Sequence, residues 1–162
     1  SIVLGKYGLG FDGLLHYYRG KHIMETAMEE AFIAHCTYPV ERSRPYVIRG
    51  SEGLERKLFS EEIFAGITAT AIGFYGPQGR VLRLPVQDDD MNHKIESFRF
   101  NKQRITNFEM ETSAIYGLSK LMGHEALSMN AIIANRPNLS YSKDPDAAIE
   151  KLIQYTLNKL SE

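Results

Sequence analysis

The stretch I-T-N-F-E-M-E-T-S-A-I-Y-G-L-S-K-L-M-G, residues 105–123, decides the fold class, because it passes from a strand pattern into a helix pattern within two residues. Residues 105–109 are predicted to form a strand and residues 111–122 a helix, which Gly123 ends. A strand that leads directly into an amphipathic helix is typical of α/β proteins. The helix is expected to turn five apolar residues toward the core, namely Ala114, Ile115, Leu118, Leu121 and Met122.

The same alternation continues on both sides of this stretch. Further strands are predicted at residues 2–7, 45–48, 64–75 and 126–134, and further helices at residues 23–36, 51–59, 91–100 and after the cap Asp144. Because residues 126–134 are almost continuously apolar, they are predicted to be a buried parallel strand. The glycine-rich residues 8–13 are predicted to be a turn, since their spacing matches no phosphate-binding motif. The sequence therefore predicts an α/β fold with a central mixed sheet flanked by helices, formed by residues 1–162 as a single domain.

Composition narrows the possible partners. The 162 residues carry 19 Lys and Arg against 20 Asp and Glu, and the net charge of -1 argues against nucleic acid as a partner. No apolar run is long enough for a membrane span, so no membrane association is expected. The single cysteine, Cys36, permits no intrachain disulfide, which suits a cytoplasmic location. No metal is expected, because residues 88–90, three aspartates, lack the spacing of a calcium loop.

The loop G-F-Y-G-P-Q-G-R, residues 73–80, leaves a predicted strand and carries an amide and a guanidinium two residues apart. Gln78 offers one acceptor and two donors in a plane, and Arg80 offers a rigid fork of donors. With Phe74 as a stacking ring, these groups suit a flat heterocycle that carries carbonyl and N–H groups. The alternative is a glycine-proline turn with a solvated arginine.

Two carboxylates flank Met110 where the strand at residues 105–109 passes into its helix. A carboxylate that points into a cleft can accept two hydrogen bonds side by side, as the adjacent hydroxyls of a ribose would donate them. In the alternative reading, Glu111 only favours the first turn of the helix through the helix dipole, and Glu109 faces solvent.

Three motifs together resemble the second half of the uridine phosphorylases, in the nucleoside phosphorylase superfamily: F-Y-G-P-Q-G-R at 74–80, N-F-E-M-E-T-S-A at 107–114 and A-I-I-A-N-R at 131–136. The resemblance covers nearly the whole chain. It implies a phosphorylase-like fold that is incomplete here. It also implies a pentosyltransferase that converts uridine and phosphate to uracil and ribose 1-phosphate in pyrimidine salvage, without a cofactor. Members of the family assemble from dimers into rings up to hexamers, so a homo-oligomer is expected.

For the base, the resemblance implies that Phe74 stacks on uracil, that Gln78 and Arg80 bond its carbonyls and N3–H, and that Arg136 supports the O4 side. Purine-specific relatives generally carry an aspartate where this chain has Asn135, so the amide favours a pyrimidine. As the glycosidic bond stretches, negative charge spreads over the uracil oxygens, and donors placed there stabilise the transition state.

For the sugar, the resemblance implies that Glu111 holds the 2′- and 3′-hydroxyls and that Met110 packs beneath the ribose with its backbone N–H pointing at it. Glu109 would be a supporting or base-side group, and Ile133 and Ala134 would line the base pocket. Gln78, Arg80 and Glu111 are the expected catalytic residues.

The family holds phosphate with groups that lie upstream of the strand with which this chain begins. The resemblance therefore implies that the chain is the nucleoside-binding C-terminal part, completed by another segment or inactive alone. Two alternatives stay open: a purine nucleoside phosphorylase or a nucleosidase that uses water, and an inactive fragment that binds only nucleoside or partner subunits.

Overall fold

The computed structural model of the chain describes residues 1–135 and 140–161. Its strands are β1 (Ile2–Gly10), β2 (Tyr46–Arg49), β3 (Phe64–Thr70), β4 (Arg99–Phe100), β5 (Gln103–Glu109), β6 (Met129–Ala131), β7 (Ala134–Asn135) and β8 (Ser140–Tyr141). Its helices are α1 (Thr26–Cys36), α2 (Glu52–Leu58), α3 (Met91–Ser97), α4 (Thr112–Leu121) and α5 (Pro145–Ser161).

A mixed sheet forms the centre of the fold, as predicted. Its strand order is β2-β1-β3-β5-β4, and β6 pairs with β1 beside β2. Strands β1, β3 and β5 are parallel, whereas β2 and β6 run antiparallel to β1. The carboxyl ends of the three parallel strands therefore lie at one edge of the sheet, where α/β proteins place their ligands. That residues 1–162 form one domain stays a prediction.

Helices pack on both faces of this sheet. Leu9 of β1 contributes to a buried cluster with Met28 and Phe32 of α1, and α3 adds Met91 and Ile95. Neighbouring strand residues point to opposite faces, and Gly8 approaches α4 instead. Prediction and structure thus agree on an α/β fold flanked by helices.

The contact between β1 and α4 depends on glycine. A Cβ added to Gly8 would lie 3.0 Å from the Cα of Ser113, and one added to Gly10 would lie 2.6 Å from its Oγ. The prediction of a turn from residue 8 is therefore wrong for Gly8 and Gly10, which belong to β1, whereas Gly13 does turn, with a φ of 70°. A side chain at residue 8 or 10 would therefore increase the distance between α4 and the sheet.

The predicted inner face of α4 is partly wrong: Leu118 packs against a core cluster as predicted, but other residues of the predicted face do not. Its buried residues are Thr112, Ser113, Tyr116 and Gly117. Ile115 and Met122, which were expected to face the core, are 52% and 64% exposed. Close packing against the glycines of β1 favours small side chains such as Ser113 at the contact, so the hydrophobic periodicity misplaced part of the buried face.

Two predicted strands differ from the observed ones. Strand β3 ends at Thr70, and the aromatic residues that follow lead into a short 3₁₀ turn at Gly76–Gln78. The stretch 126–134 is not a buried parallel strand: within it β6 is half-buried and antiparallel to β1, and Ala134 begins β7 of a separate two-stranded sheet. Apolar composition alone does not distinguish these arrangements.

Helix α5 begins as predicted, because Asp144 Oδ1 accepts the backbone N–H of Ala147 at 2.9 Å. Leu152 and Tyr155 pack against the cluster around Ile2 and Leu4. Four apolar residues of the same helix remain between 41% and 54% exposed, namely Ile149, Ile153, Leu157 and Leu160. Across the part of the chain that the structure describes, no helix combines the length and the apolar character that crossing a membrane requires.

Candidate active site

A cavity of 1150 Å³ runs along β5, from Arg104 to the junction of β5 with α4. Its wall includes eight residues that the sequence singled out: Phe74, Gln78, Arg80, Glu109, Met110, Glu111, Ile133 and Ala134. They come from the loop after β3, the junction of β5 and α4, and the segment between β6 and β7. The structure thus brings these residues together, while their roles stay predictions. Arg136, also predicted to contact the base, lies outside the described residues.

In the wall of the cavity, the amide and the guanidinium of the loop lie side by side. Arg80 Nη1 donates to Gln78 Oε1 at 2.9 Å and also to the carbonyl of Phe74. The Gln78 side chain is buried, and Asn92 Nδ2 donates to its backbone carbonyl at 3.2 Å. These contacts fix the amide relative to the guanidinium.

The Arg80 guanidinium also lies over the ring of Phe74, with Cζ 3.5 Å from the ring centroid. One face of this ring is therefore already covered by a cation. A flat base must stack on the other face of Phe74 or displace Arg80 from the ring. The sequence predicted the three residues as neighbours but not this contact between them.

Glu109, in the same wall, joins the end of β5 to the start of α4. Its Oε2 accepts the backbone N–H groups of Glu111 and Thr112, both at 2.7 Å. Its Oε1 accepts the hydroxyl of Thr70 at 2.6 Å. These contacts satisfy helix N–H groups that have no partner within the helix. They favour the supporting role among the two that were predicted for Glu109.

Glu111 and Met110 present their side chains at the cavity. Both are exposed, and Met110 is 41% exposed. The backbone N–H of Met110, predicted to point at the sugar, donates to Glu111 Oε2 at a long 3.3 Å. Glu111 therefore has a fixed backbone and a carboxylate that hydroxyl groups entering the cavity can reach.

Sequence reasoning missed a buried polar network behind this junction. The hydroxyl of Tyr46 donates to Asp12 Oδ1 at 2.7 Å, and Ser113 Oγ donates to Asp12 Oδ2 at 3.2 Å. The backbone N–H of Ser113 donates to Thr70 Oγ1 at 2.9 Å. Burial raises the pKa of Tyr46 above its ordinary value, so its hydroxyl stays protonated. No sequence signal marked this network, because Thr70 was predicted to lie inside a strand that ran to residue 75.

A second cavity, of 820 Å³, lies against the same loop. Arg80 lines it as well, but Gln78 and Glu111 do not. It therefore cannot bring the predicted base and sugar groups together. Within residues 1–135 and 140–161, no group of three or more His, Cys, Asp or Glu side chains is arranged to hold a metal ion.

No model of a known protein family matches the chain. A uridine phosphorylase of Thermococcus kodakarensis is 34% identical to it over 84 residues, which are 48% of this chain and 27% of that protein. A nucleoside phosphorylase of Trypanosoma brucei, described as showing uridine phosphorylase activity, superposes with a TM-score of 0.82 at 24% identity and covers 99% of this chain. The chain covers 57% of that structure.

Two further solved structures are similar. A uridine phosphorylase of Phytophthora capsici gives a TM-score of 0.55 at 16% identity, over 99% of this chain and 58% of its own. Isoform 2 of the Schistosoma mansoni enzyme gives 0.58 at 19%, over 98% of this chain and 51% of its own. The chain thus spans about half the length of these solved relatives. By its fold and by its partial sequence similarity, the chain resembles the C-terminal portion of a uridine phosphorylase and has the nucleoside phosphorylase fold.

Proposed function

We propose that the chain binds uridine in the 1150 Å³ cavity and is the nucleoside-binding part of an enzyme that cleaves uridine with phosphate to uracil and ribose 1-phosphate. The observation that carries this proposal is the shared cavity itself. Gln78 and Arg80 come from one loop and Glu111 from another, and all three line its wall. The similarity to proteins named uridine phosphorylases supports the same activity.

The base end of the cavity suits uracil by its order of donors and acceptors. An amide N–H₂, an amide oxygen and a guanidinium provide donor, acceptor and donor. Uracil offers the complementary order through O2, N3–H and O4. Cytosine replaces N3–H with an acceptor and O4 with a donor, so two of its three groups would face groups of the same kind. Buried polar groups left unpaired in this way reject a wrong ligand strongly.

The sugar end of the cavity suits a ribose. Glu111 offers a carboxylate at the start of α4, and vicinal hydroxyls donate well to such a group. The side chain of Met110 lies beside it and gives the ring an apolar contact. Both groups stand on a backbone that Glu109 holds through two 2.7 Å hydrogen bonds.

Catalysis in this proposal is electrostatic. Donors from Gln78 and Arg80 stabilise the negative charge that grows on the uracil oxygens as the glycosidic bond breaks. Phosphate then takes the anomeric carbon as co-substrate, and no cofactor takes part. We place the protein in the cytoplasm as a homo-oligomer built from dimers, up to a hexamer. The exposed apolar residues of α5 support an assembled state, because contact with another subunit would remove them from water.

Nucleoside binding and turnover test the proposal together. Calorimetric titration of the 162-residue chain with uridine, cytidine and inosine should give the tightest binding for uridine. Release of uracil from uridine should require phosphate, which separates phosphorolysis from hydrolysis by a nucleosidase. Tighter binding of inosine would favour the purine alternative. A correctly folded chain that binds none of the three nucleosides would refute the proposal.

A further inference from the structure

We propose that Thr70 is a positioning residue for the sugar: its hydroxyl fixes the backbone of Glu111, and so the place of the carboxylate that meets the ribose. Thr70 is fully buried and does not line the cavity, so it acts through other residues. This inference rests on the proposed function, because it assumes that Glu111 holds a ribose.

The hydroxyl of Thr70 makes two hydrogen bonds of opposite direction. It donates to Glu109 Oε1 at 2.6 Å and accepts the backbone N–H of Ser113 at 2.9 Å. A carboxylate oxygen accepts and a backbone N–H donates, so the hydroxyl has one orientation that satisfies both. Thr70 therefore joins the end of β3 to the end of β5 and to the first turn of α4.

The second step runs from Glu109 to Glu111. While Thr70 holds one oxygen of the Glu109 carboxylate, the other oxygen accepts the N–H groups of Glu111 and Thr112. Because both oxygens are hydrogen-bonded, the carboxylate of Glu109 is held in one rotational position. Two successive hydrogen bonds thus connect the buried hydroxyl to the backbone that carries the sugar ligand.

Thr70 is itself held in place by buried neighbours. Ser113, which donates its N–H to Thr70, is fully buried, and its Oγ contacts Asp12 and the hydroxyl of Tyr46. Asp12 also accepts the backbone N–H of Leu14 at 2.7 Å. The hydroxyl of Thr70 thus connects buried, hydrogen-bonded residues to the junction of β5 and α4, which is exposed at the cavity.

Losing a purely structural cap and losing a positioning residue have different effects on the affinity for the sugar. Loss of a cap lowers stability and weakens all ligands alike. Loss of positioning weakens the ligand that uses Glu111 most. The ratio of affinities for uridine and 2′-deoxyuridine separates the two roles, because the deoxynucleoside lacks the hydroxyl at position 2′.

The test uses Thr70→Val, which keeps the shape and removes the hydroxyl, and Thr70→Ser, which keeps the hydroxyl. We expect Thr70→Val to weaken uridine about tenfold, the equivalent of one ordinary hydrogen bond, and to weaken 2′-deoxyuridine less. Thr70→Ser should restore the ratio of the native chain. The matched control is Thr68→Val: Thr68 is equally buried on the same strand, but its hydroxyl donates to Asn107 at 3.0 Å instead of to Glu109.

Amide hydrogen exchange provides a readout that needs no ligand. The amides of Glu111 and Thr112 should exchange faster in Thr70→Val and not in Thr68→Val. Should Thr70→Val fail to fold, Glu109→Gln replaces it. The carboxylate accepts the Thr70 hydroxyl with one oxygen and two backbone N–H groups with the other, whereas an amide has a single acceptor oxygen. An unchanged nucleoside ratio in a folded Thr70→Val chain would overturn the inference. A native chain that binds neither nucleoside would instead refute the proposed function, and the exchange rates would still decide whether Thr70 holds Glu111.

Discussion

Replacing Arg80 with methionine tests the base end of the cavity. The change removes the guanidinium that donates to Gln78 Oε1 at 2.9 Å and covers the ring of Phe74. It keeps an unbranched side chain of similar reach, so the loop retains its packing.

The expected losses in activity and in stability differ in size. Losing one prearranged donor to a developing negative charge costs about 3 kcal/mol, or roughly a hundredfold in kcat/KM. The contact with the exposed Phe74 ring contributes only about 0.5 to 1 kcal/mol to folding. For a chain of this length, such a change lowers Tm by about 1–4 °C. Arg80→Met should therefore lose activity with little loss of fold.

The assay follows uracil release from uridine and phosphate by the enzyme with its phosphate-binding part present, with a thermal melt of each variant. Arg83→Met is the matched control: Arg83 belongs to the same loop and is exposed, and it lines the second cavity instead. Its kcat/KM should stay near the native value. Arg80→Lys should be intermediate, because lysine keeps the charge but not the planar fork. Near-native kcat/KM in Arg80→Met would refute the role of the guanidinium.

Three further predictions concern other side chains. Glu111→Gln should weaken uridine about tenfold in calorimetry, since hydroxyl groups bond a carboxylate more strongly than an amide, and equal affinities would contradict its contact with the sugar. Burial favours a raised pKa for Glu55, but hydrogen bonds from Arg49 and Lys6 outweigh it and hold the pKa below its usual value. Glu55 thus stabilises the fold above its unfolded pKa of about 4.3, and this contribution is lost as the pH falls through the lower folded pKa. Melts of Glu55→Gln should accordingly lose less stability in acid than the native chain. Burial raises the pKa of the Cys36 thiol to about 12, so a disulfide reagent at neutral pH should label it only after unfolding, and rapid labelling of the folded chain would contradict this.

Local signals in the sequence predicted the element types well. A helix was predicted from residue 51, and Ser51 Oγ caps α2 by accepting the backbone N–H of Leu54 at 3.0 Å. Asp144 likewise caps α5. Such caps depend on residues within one turn of each other, so the sequence alone determines them. The central mixed sheet followed from the alternation of strand and helix patterns.

Features that depend on distant residues could not be read in the same way. The buried face of α4 is set by Gly8 and Gly10, which are about a hundred residues away in the chain. The sequence therefore gave the positions of Gln78, Arg80 and Glu111 along the chain but not the support beneath them. Thr70 and Asp12 were missed because their significance appears only when three strand ends meet.

The glycines of β1 have a consequence for altering the sugar preference of the site. Their missing side chains set the spacing between β1 and the first turn of α4, where a methyl group at residue 8 would meet backbone at 3.0 Å. A backbone neighbour cannot rotate aside, so we expect the backbone at Ser113 to move by a few tenths of an ångström, close to Glu111 in the chain. Residues 8 and 10 do not line the cavity, yet under the proposed function we expect substitutions there to change the affinity for the sugar.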